Sequence, residues 1–364
     1  MNFYLPTNIF YGKTALSEAS SQISLIGKKA LIVTGKNSAK KSGALDATLK
    51  CLQEIEIEYV IYSEISENPS LFSVDKGASI CRENHCDFII GIGGGSPIDA
   101  AKGIAIMVGS GLKIENIYTS SKFTKALPIV AIPITSGTGT EATQYSVLTD
   151  TENQTKAGFG SILVFPKISI LNPEFTFSLA KNVTINTTID ALSHLLEGIY
   201  SKNRNPLTYP FIFKGIKLII DNLEKAVQEP NNYSYRNALM QASLYGGIVI
   251  AHSGTTLQHS IGYPLTTKFG TPHGMANGIV MEDIMKIYYP GVRQEIDGLF
   301  EYLCISQNDF FNWLKKFDLQ LKQELDEELI DFMTAKVMAT RNMALNPINI
   351  TSADVKELYK KISL

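Results

Sequence analysis

The 364-residue chain predicts an α/β nucleotide-binding domain followed by an all-helical metal-binding domain. Three observations carry that expectation. Short apolar runs alternate with helix-length amphipathic stretches through the first half, the pattern of a parallel sheet with helices on both faces. A glycine turn, Gly93-Gly94-Gly95-Ser96, follows one of those runs directly and opens a helix. From about residue 177 the pattern changes to long helices, and one aspartate and three histidines fall in that half, on two helices and a loop, at ligand-like spacing. The expected domains are residues 1–176 and 177–364, with a cleft between them.

Hydrophobic residues make up 45% of the chain and charged residues 19%, the balance of an ordinary globular protein with a large core. A formal charge of −2, with acids and bases interspersed, offers no field for gathering nucleic acid or an anionic membrane. No run of about 20 residues is apolar enough to span a bilayer. Met1-Asn-Phe-Tyr-Leu-Pro6 lacks the basic region and apolar core of a signal peptide. The four cysteines, Cys51, Cys81, Cys86 and Cys304, have no C-x-x-C spacing. They are expected to be reduced, which suits a cytoplasmic protein.

Taken in order, residues 3–11 read as short strands around Pro6 and Asn8, and 17–26 as a helix. Residues 29–34, Lys-Ala-Leu-Ile-Val-Thr, form an apolar run of strand length that ends at Gly35. A helix over 43–54, a strand over 59–62, a helix over 72–84 and a strand over 87–92 follow. At the glycine turn the missing side chains let the backbone approach a diphosphate, and the new helix directs free N–H groups at it. Ser96 can cap and Pro97 fits the first helical turn. The G-x-G-x-x-G fingerprint is absent, because Ser96 stands at its last glycine position. A strand over 127–133 runs into Thr135-Ser-Gly-Thr-Gly-Thr140-Glu141, whose hydroxyls can bond a polar ligand without filling its space. Residues 145–149 and 156–159 flank Asp150-Thr-Glu-Asn153 as a hairpin, and a strand over 168–171 ends the sheet domain.

The second half reads as helices over 188–200, 210–227, 238–261, 275–287 and several more, the last over 355–362 behind the start signal Thr351-Ser-Ala-Asp354. Asp190 and His194 are four apart, so they share one helix face. His259 closes the 238–261 run, and His273 follows a break made by Pro264, Gly270 and Pro272. One carboxylate and three imidazoles make a four-ligand cage suited to iron(II) or zinc rather than to magnesium or calcium. His252 shares the helix of His259 in this reading, where it either packs on the helix face or serves the substrate pocket or proton exit, and His85 is structural. Tyr145, Phe159, Phe269 and Met275 suggest a partly apolar substrate pocket.

Together these stretches resemble the iron-dependent (group III) alcohol dehydrogenase family, whose fold is similar to dehydroquinate synthase. The resemblance runs from Phe3-Tyr-Leu-Pro6 and Ile9-Phe-Tyr-Gly12 through Gly93 to Asp99, Pro133 to Glu141, Asp190 to His194 and His259 to Gly278. It implies a homodimer that transfers hydride between a nicotinamide cofactor and an alcohol/aldehyde pair. It implies Asp190, His194, His259 and His273 as ligands of iron(II), or of zinc as in some members. It implies Gly94, Gly95 and Ser96 on the cofactor diphosphate with Asp99 nearby. Thr135 and Thr138, with Thr140 beyond them, would lie by the nicotinamide and its ribose. Asn68 would reach the adenosine side, and Lys156 and Val183 would complete the nucleotide site. Without the resemblance Asn68 reads as a turn residue and Lys156 as a solvated charge. Three departures stand out: Ile134 replaces a threonine, Thr188-Ile189 replaces a glycine-valine pair, and Tyr263 replaces a histidine that is a candidate proton carrier. A polyol or glycerol dehydrogenase on the same fold and a non-catalytic metal- and nucleotide-binding protein are the alternatives.

The first long strand ends in Thr34-Gly35-Lys36-Asn37-Ser38. Proteins that read NAD commonly place an acidic residue at such a strand end to bind the ribose 2′-hydroxyl, and a carboxylate there repels a 2′-phosphate. With Gly35 in that place and Lys36, Asn37 and Ser38 beside it, the expectation is NADP(H) over NAD(H).

Overall fold

The computed structural model describes residues 2–151 and 155–363, which divide into two units. One comprises Tyr4–Ala180 with Glu229–Met240. Along the chain it holds β1 (Asn8–Tyr11), α1 (Ala15–Ile23), β2 (Lys29–Thr34), α2 (Ser38–Lys41), α3 (Ala44–Glu54) and β3 (Glu58–Tyr62). These are followed by α4 (Leu71–Glu83), β4 (Phe88–Gly93), α5 (Gly95–Gly109), β5 (Ile129–Pro133), β6 (Tyr145–Asp150), β7 (Thr155–Gly160) and β8 (Ile168–Leu171).

The sheet order is β1-β8-β5-β4-β2-β3, and every neighbouring pair is parallel. Successive strand residues point to opposite faces, so a sheet covered on both sides needs apolar residues at every position. The core follows that rule. Leu31, Val33 and Ile89 pack with Val74 and Ala78 of α4 and Ile104 of α5 on one face. The alternate residues Ala30, Ile32, Phe88 and Ile90 pack with Ala15 and Ala19 of α1 and Leu52 of α3 on the other. Each fully buried Leu or Ile contributes roughly 1.5–3 kcal/mol.

β6 and β7 form a separate antiparallel hairpin, from Tyr145 opposite Gly160 to Asp150 opposite Thr155. Its turn, expected at residues 150–153, falls largely outside the described residues. Phe159, expected to line a substrate pocket, is instead buried in the sheet core, edge-on to Phe123 at 5.4 Å.

The other unit comprises Met1–Phe3, Lys181–Gln228 and Gln241–Leu364. Its helices are α6 (Lys181–Tyr200), α7 (Tyr209–Gln228), α8 (Tyr233–Ser253, whose first turns count with the sheet unit), α9 (Leu257–Phe269), α10 (His273–Ile279) and α11 (Met281–Tyr288). After them come α12 (Arg293–Leu303), α13 (Gln307–Lys315), α14 (Glu327–Met338) and α15 (Ser352–Ile362). Among the described residues no helix is long and apolar enough to cross a membrane.

Two expected helices are in fact pairs. The run over 238–261 breaks after Ser253, where Gly254 takes φ +67°, a left-handed conformation that ends a right-handed helix. Pro264, expected to break the chain, lies buried inside α9, which continues to Phe269. The run over 275–287 divides at Val280 into α10 and α11. His252 is therefore on a different helix from His259. Its ring stacks on Phe3 at 4.5 Å and its Nδ1 bonds the Ile248 carbonyl at 2.7 Å, a packing role.

Candidate active site

Helical geometry brings the first two candidate ligands together. On α6 the i,i+4 spacing puts the Asp190 carboxylate and the His194 imidazole on one face, with His194 Nε2 3.9 Å from Asp190 Oδ1. His259 lies in the first turn of α9, and its Nε2 is 3.7 Å from the same oxygen. His273 begins α10, with Nε2 at 3.8 Å from it. Ligand atoms of Asp190, His259 and His273 all lie within 4.8 Å of one another, and His194 Nε2 is 3.1 Å from His259 Nε2. All four side chains expected in the cage are thus gathered in one volume.

This donor set fits a divalent transition metal. Bonds of about 2.0–2.1 Å to a shared tetrahedral centre set neighbouring ligand atoms roughly 3.3–3.4 Å apart, close to the observed spacings. Imidazole nitrogen with a single carboxylate oxygen is a borderline set, poorly matched to calcium or magnesium. Burial alone would raise the Asp190 carboxyl. The imidazoles of His194, His273 and His259 and the Asn277 amide outweigh burial and hold it below the ordinary carboxylate range. Three of the four side chains are almost wholly enclosed, whereas His273 is 26% exposed, so the cluster is accessible at that side chain.

Two residues that the spacing did not single out hold the cage in shape. Glu197 lies one turn beyond His194 on α6 and is fully buried. Its Oε2 pairs with His259 Nδ1, which fixes that ring proton on Nδ1 and leaves Nε2 bare for a ligand bond. Its Oε1 accepts from Thr256 N at 2.6 Å, Thr256 Oγ1 at 2.8 Å and His259 N at 3.4 Å. The carboxylate therefore satisfies free N–H groups at the start of α9 and sits at the positive end of its dipole. Asn277, one turn after His273, donates from Nδ2 to Asp190 Oδ1 at 3.0 Å. The same nitrogen lies 3.1 Å from His259 Nε2 and 3.4 Å from His273 Nε2. An i,i+4 partner to each histidine-bearing turn was the available signal for Asn277; nothing local distinguishes Glu197 from a solvated helix charge.

Close packing fixes His273. A side chain on Gly274 would run into the Asn186 carbonyl of α6 and approach Asp190 Cβ at 3.0 Å, so only glycine lets α10 lie this near. Tyr263 stacks parallel on the His273 ring at 5.6 Å. Burial raises its phenol, against hydrogen bonds to Asn342 and Thr255, so it stays protonated.

The nucleotide candidates gather on the sheet unit. β4 ends at Gly93 and α5 begins at Gly95, so the free N–H groups of the first turn follow the glycine bend. A Cβ on Gly94 would come within 3.3 Å of Thr135, and one on Gly95 within 2.8 Å of Thr138, so both threonines lie against the turn. Asn68, at φ +54°, donates its N–H to Ser96 Oγ at 3.1 Å and accepts from Lys156 Nζ at 2.9 Å. Asn68, Ser96 and Lys156 are therefore one cluster, although Lys156 is distant in sequence. Asp99 accepts from Thr140 Oγ1 at 2.7 Å and from Val147 N at 3.0 Å; burial raises its carboxyl, against the pull of Lys102. Ile134, in a usual threonine position, is part of the sheet core. Gly35 follows the end of β2, and Lys36, Asn37 and Ser38 beyond it are exposed. Val183 lies in the first turn of α6, in the helical unit, half-buried.

With the geometry in view, comparison with known proteins assigns the lineage. Residues 6–173 match the model of the iron-containing alcohol dehydrogenases, and residues 184–363 match that family's C-terminal domain. The NADPH-dependent butanol dehydrogenase of Clostridium saccharobutylicum is 32% identical over 382 residues, 99% of this chain and 97% of its own length. The NAD-dependent methanol dehydrogenase of Bacillus methanolicus is 30% identical over 285 residues, 78% of this chain and 74% of its own. A crystal structure of an iron-containing alcohol dehydrogenase from Thermotoga maritima superposes with a TM-score of 0.93 at 37% identity, covering 100% of this chain and 99% of that one. The chain belongs to the iron-containing alcohol dehydrogenase family of metal- and nicotinamide-dependent oxidoreductases.

Proposed function

We propose that this chain interconverts an alcohol and its aldehyde with NADP(H) in preference to NAD(H), and that Asp190, His194, His259 and His273 hold a divalent iron or zinc ion. The observation that carries the reading is the convergence of one carboxylate and three imidazoles in a chain of this family. When bound, the ion supplies a Lewis acid toward the substrate oxygen, and the nicotinamide supplies the hydride acceptor or donor.

The protein's own residues bind and orient. Glu197 keeps the His259 proton on Nδ1, and Asn277 steadies the Asp190 oxygen by donating to it. The first turn of α5 offers N–H groups of Gly95 and Ser96 to the cofactor diphosphate, with Thr135 and Thr138 beside them. Asn68 and Lys156, bonded to each other, serve the adenosine side. One negative charge from the ligand set against a divalent ion leaves a net positive site, which favours an oxygen that gains negative charge during hydride transfer.

Cofactor preference rests on the end of β2. Gly35 carries no carboxylate there, and exposed Lys36, Asn37 and Ser38 can meet a 2′-phosphate. Relatives of both habits exist, named NADPH-dependent and NAD-dependent. A homodimer belongs to the same reading, and light scattering coupled to gel filtration measures it. Initial rates of NADPH and NADH oxidation against an aldehyde panel, with iron- or zinc-loaded protein, test the whole. No turnover with any aldehyde overturns the proposed reaction; a lower Michaelis constant for NADH overturns the cofactor preference alone.

A further inference from the structure

α9 begins without a cap of its own. Its N-cap residue, Thr256, makes no side-chain bond to the first turn; the hydroxyl donates to Glu197 instead. The N–H groups that open a helix have no partner inside it, and here the residues that carry them are buried. Other elements meet them. Glu197 of α6 accepts from Thr256 N and His259 N. The N–H of Leu257 goes to Asn346, whose Oδ1 accepts it at 3.0 Å. A backbone N–H can only donate, so the Asn346 amide must turn its oxygen that way. Tyr288 of α11 donates its hydroxyl to the same oxygen at 2.6 Å and lies 3.3 Å from Leu257 N.

Asn346 is 1% exposed and ends a segment that grips the start of α9 at two further points. Asn342 Nδ2 donates to Thr255 Oγ1 at 2.9 Å, and the hydroxyls of Thr340 and Ser260 are 2.7 Å apart. The segment is fastened in turn just beyond α6, where Leu345 O accepts from Lys202 N at 2.8 Å. Residues 340–346 thus hold residues 255–260 at three points. His259 is the third residue of α9, so the place where the helix starts decides where its ring stands. A start rotated by part of a turn would swing that ring away from Asp190, His194 and His273.

We propose that Asn346 is a positioning residue for the metal cage: by capping α9 from outside the helix, it fixes the place of His259. The inference rests on the metal reading above and adds a residue that lies outside the ligand set. A residue that merely held helices together would lower the melting temperature and leave the cation affinity and coordination geometry of the folded protein unchanged. A positioning residue changes both.

The test uses the full-length chain with cobalt(II) as the probe, because the visible absorption of that ion reports the geometry of its ligands. Affinity is measured in competition with a chromophoric chelator, well below the melting temperature of each protein, and the bands are recorded separately without chelator. Asn346→Leu should raise the cobalt Kd about tenfold or more and alter the bands. Asn346→Asp keeps the accepting oxygen, and Asp caps helices as well as Asn does, so its Kd should stay within about threefold of the wild type. The negative charge of that variant favours a cation, so a loss equal to that of Asn346→Leu would trace the effect to packing and overturn the inference. Should Asn346→Leu fail to fold by circular dichroism, Tyr288→Phe carries the same question. It removes the hydroxyl shared by Asn346 and Leu257, and it should raise the Kd several-fold and alter the bands. Folded Asn346→Leu, or Tyr288→Phe in its place, with wild-type cobalt affinity or wild-type bands overturns the inference alone. A wild-type protein that takes up no cobalt overturns it together with the metal reading.

Discussion

Glu141 gives a measurable link between burial and pH. It is 2% exposed, and burial raises its carboxyl from 4.5 to about 7, against its own backbone N–H and the Lys102 ammonium. A carboxyl whose folded value is raised contributes stability that is complete below the unfolded value and lost as pH climbs through the folded one. The window therefore runs from 4.5 to about 7. At 1.36 kcal/mol per unit, ionised Glu141 costs roughly 3 kcal/mol at about pH 8, and about 1.4 kcal/mol at about pH 5.5. Glu141→Gln stays neutral throughout. Relative to the wild type it should gain about 2 kcal/mol between those two conditions. With an unfolding entropy of about 2.1 cal/mol/K per residue, that is a relative gain in Tm of about 2–5 °C, the larger figure applying if the sheet unit melts alone. Differential scanning calorimetry of both proteins at both pH values measures it, and comparing the two gaps cancels the packing effect of the amide. A gap that stays constant, or widens toward acid, would refute the argument.

Other substitutions probe the cage and the cofactor. Glu197→Gln keeps the shape and loses the charge that fixes His259, so metal affinity should fall about 10–100-fold in competition with a chromophoric chelator; wild-type affinity would remove Glu197 from the site. His259→Ala and His273→Ala should each lose the ion by elemental analysis and most activity while keeping the wild-type circular dichroism; a full metal complement in either sinks the ligand assignment. Gly35→Asp should raise KM for NADP(H) about tenfold or more and change KM for NAD(H) little, because a carboxylate repels a 2′-phosphate. An unchanged ratio of the two constants would show that the strand end does not read the ribose.

The strands and the pairing of the first two candidate ligands were legible because they depend on local periodicity. Uninterrupted apolar runs such as residues 29–34 announce a sheet covered on both faces, and the four-residue spacing of Asp190 and His194 announces a shared helix face. Periodicity says which residues share a face but not what the face meets. Glu197 and Lys102 therefore read as ordinary helix charges, although each is buried against partners far away in sequence. The end of α8 was missed for a related reason. Residues 238–261 suit a helix almost throughout, and the break depends on the left-handed turn at Gly254 and on a carboxylate from α6 that receives the first N–H groups of α9. Lys156 shows the opposite limit: only its bond to Asn68 reveals it as part of a cluster.

Gly274 narrows the routes open to anyone retuning this enzyme. The hydrogen it carries in place of a side chain is what lets the peptide of Asn186 pass directly beside the His273 turn. Even alanine would push that turn outward and take the candidate ligand His273 with it, so randomised libraries aimed at bulkier alcohols should leave codon 274 alone. Diversity is better sought at Tyr263, whose ring stacks on the same histidine at 5.6 Å.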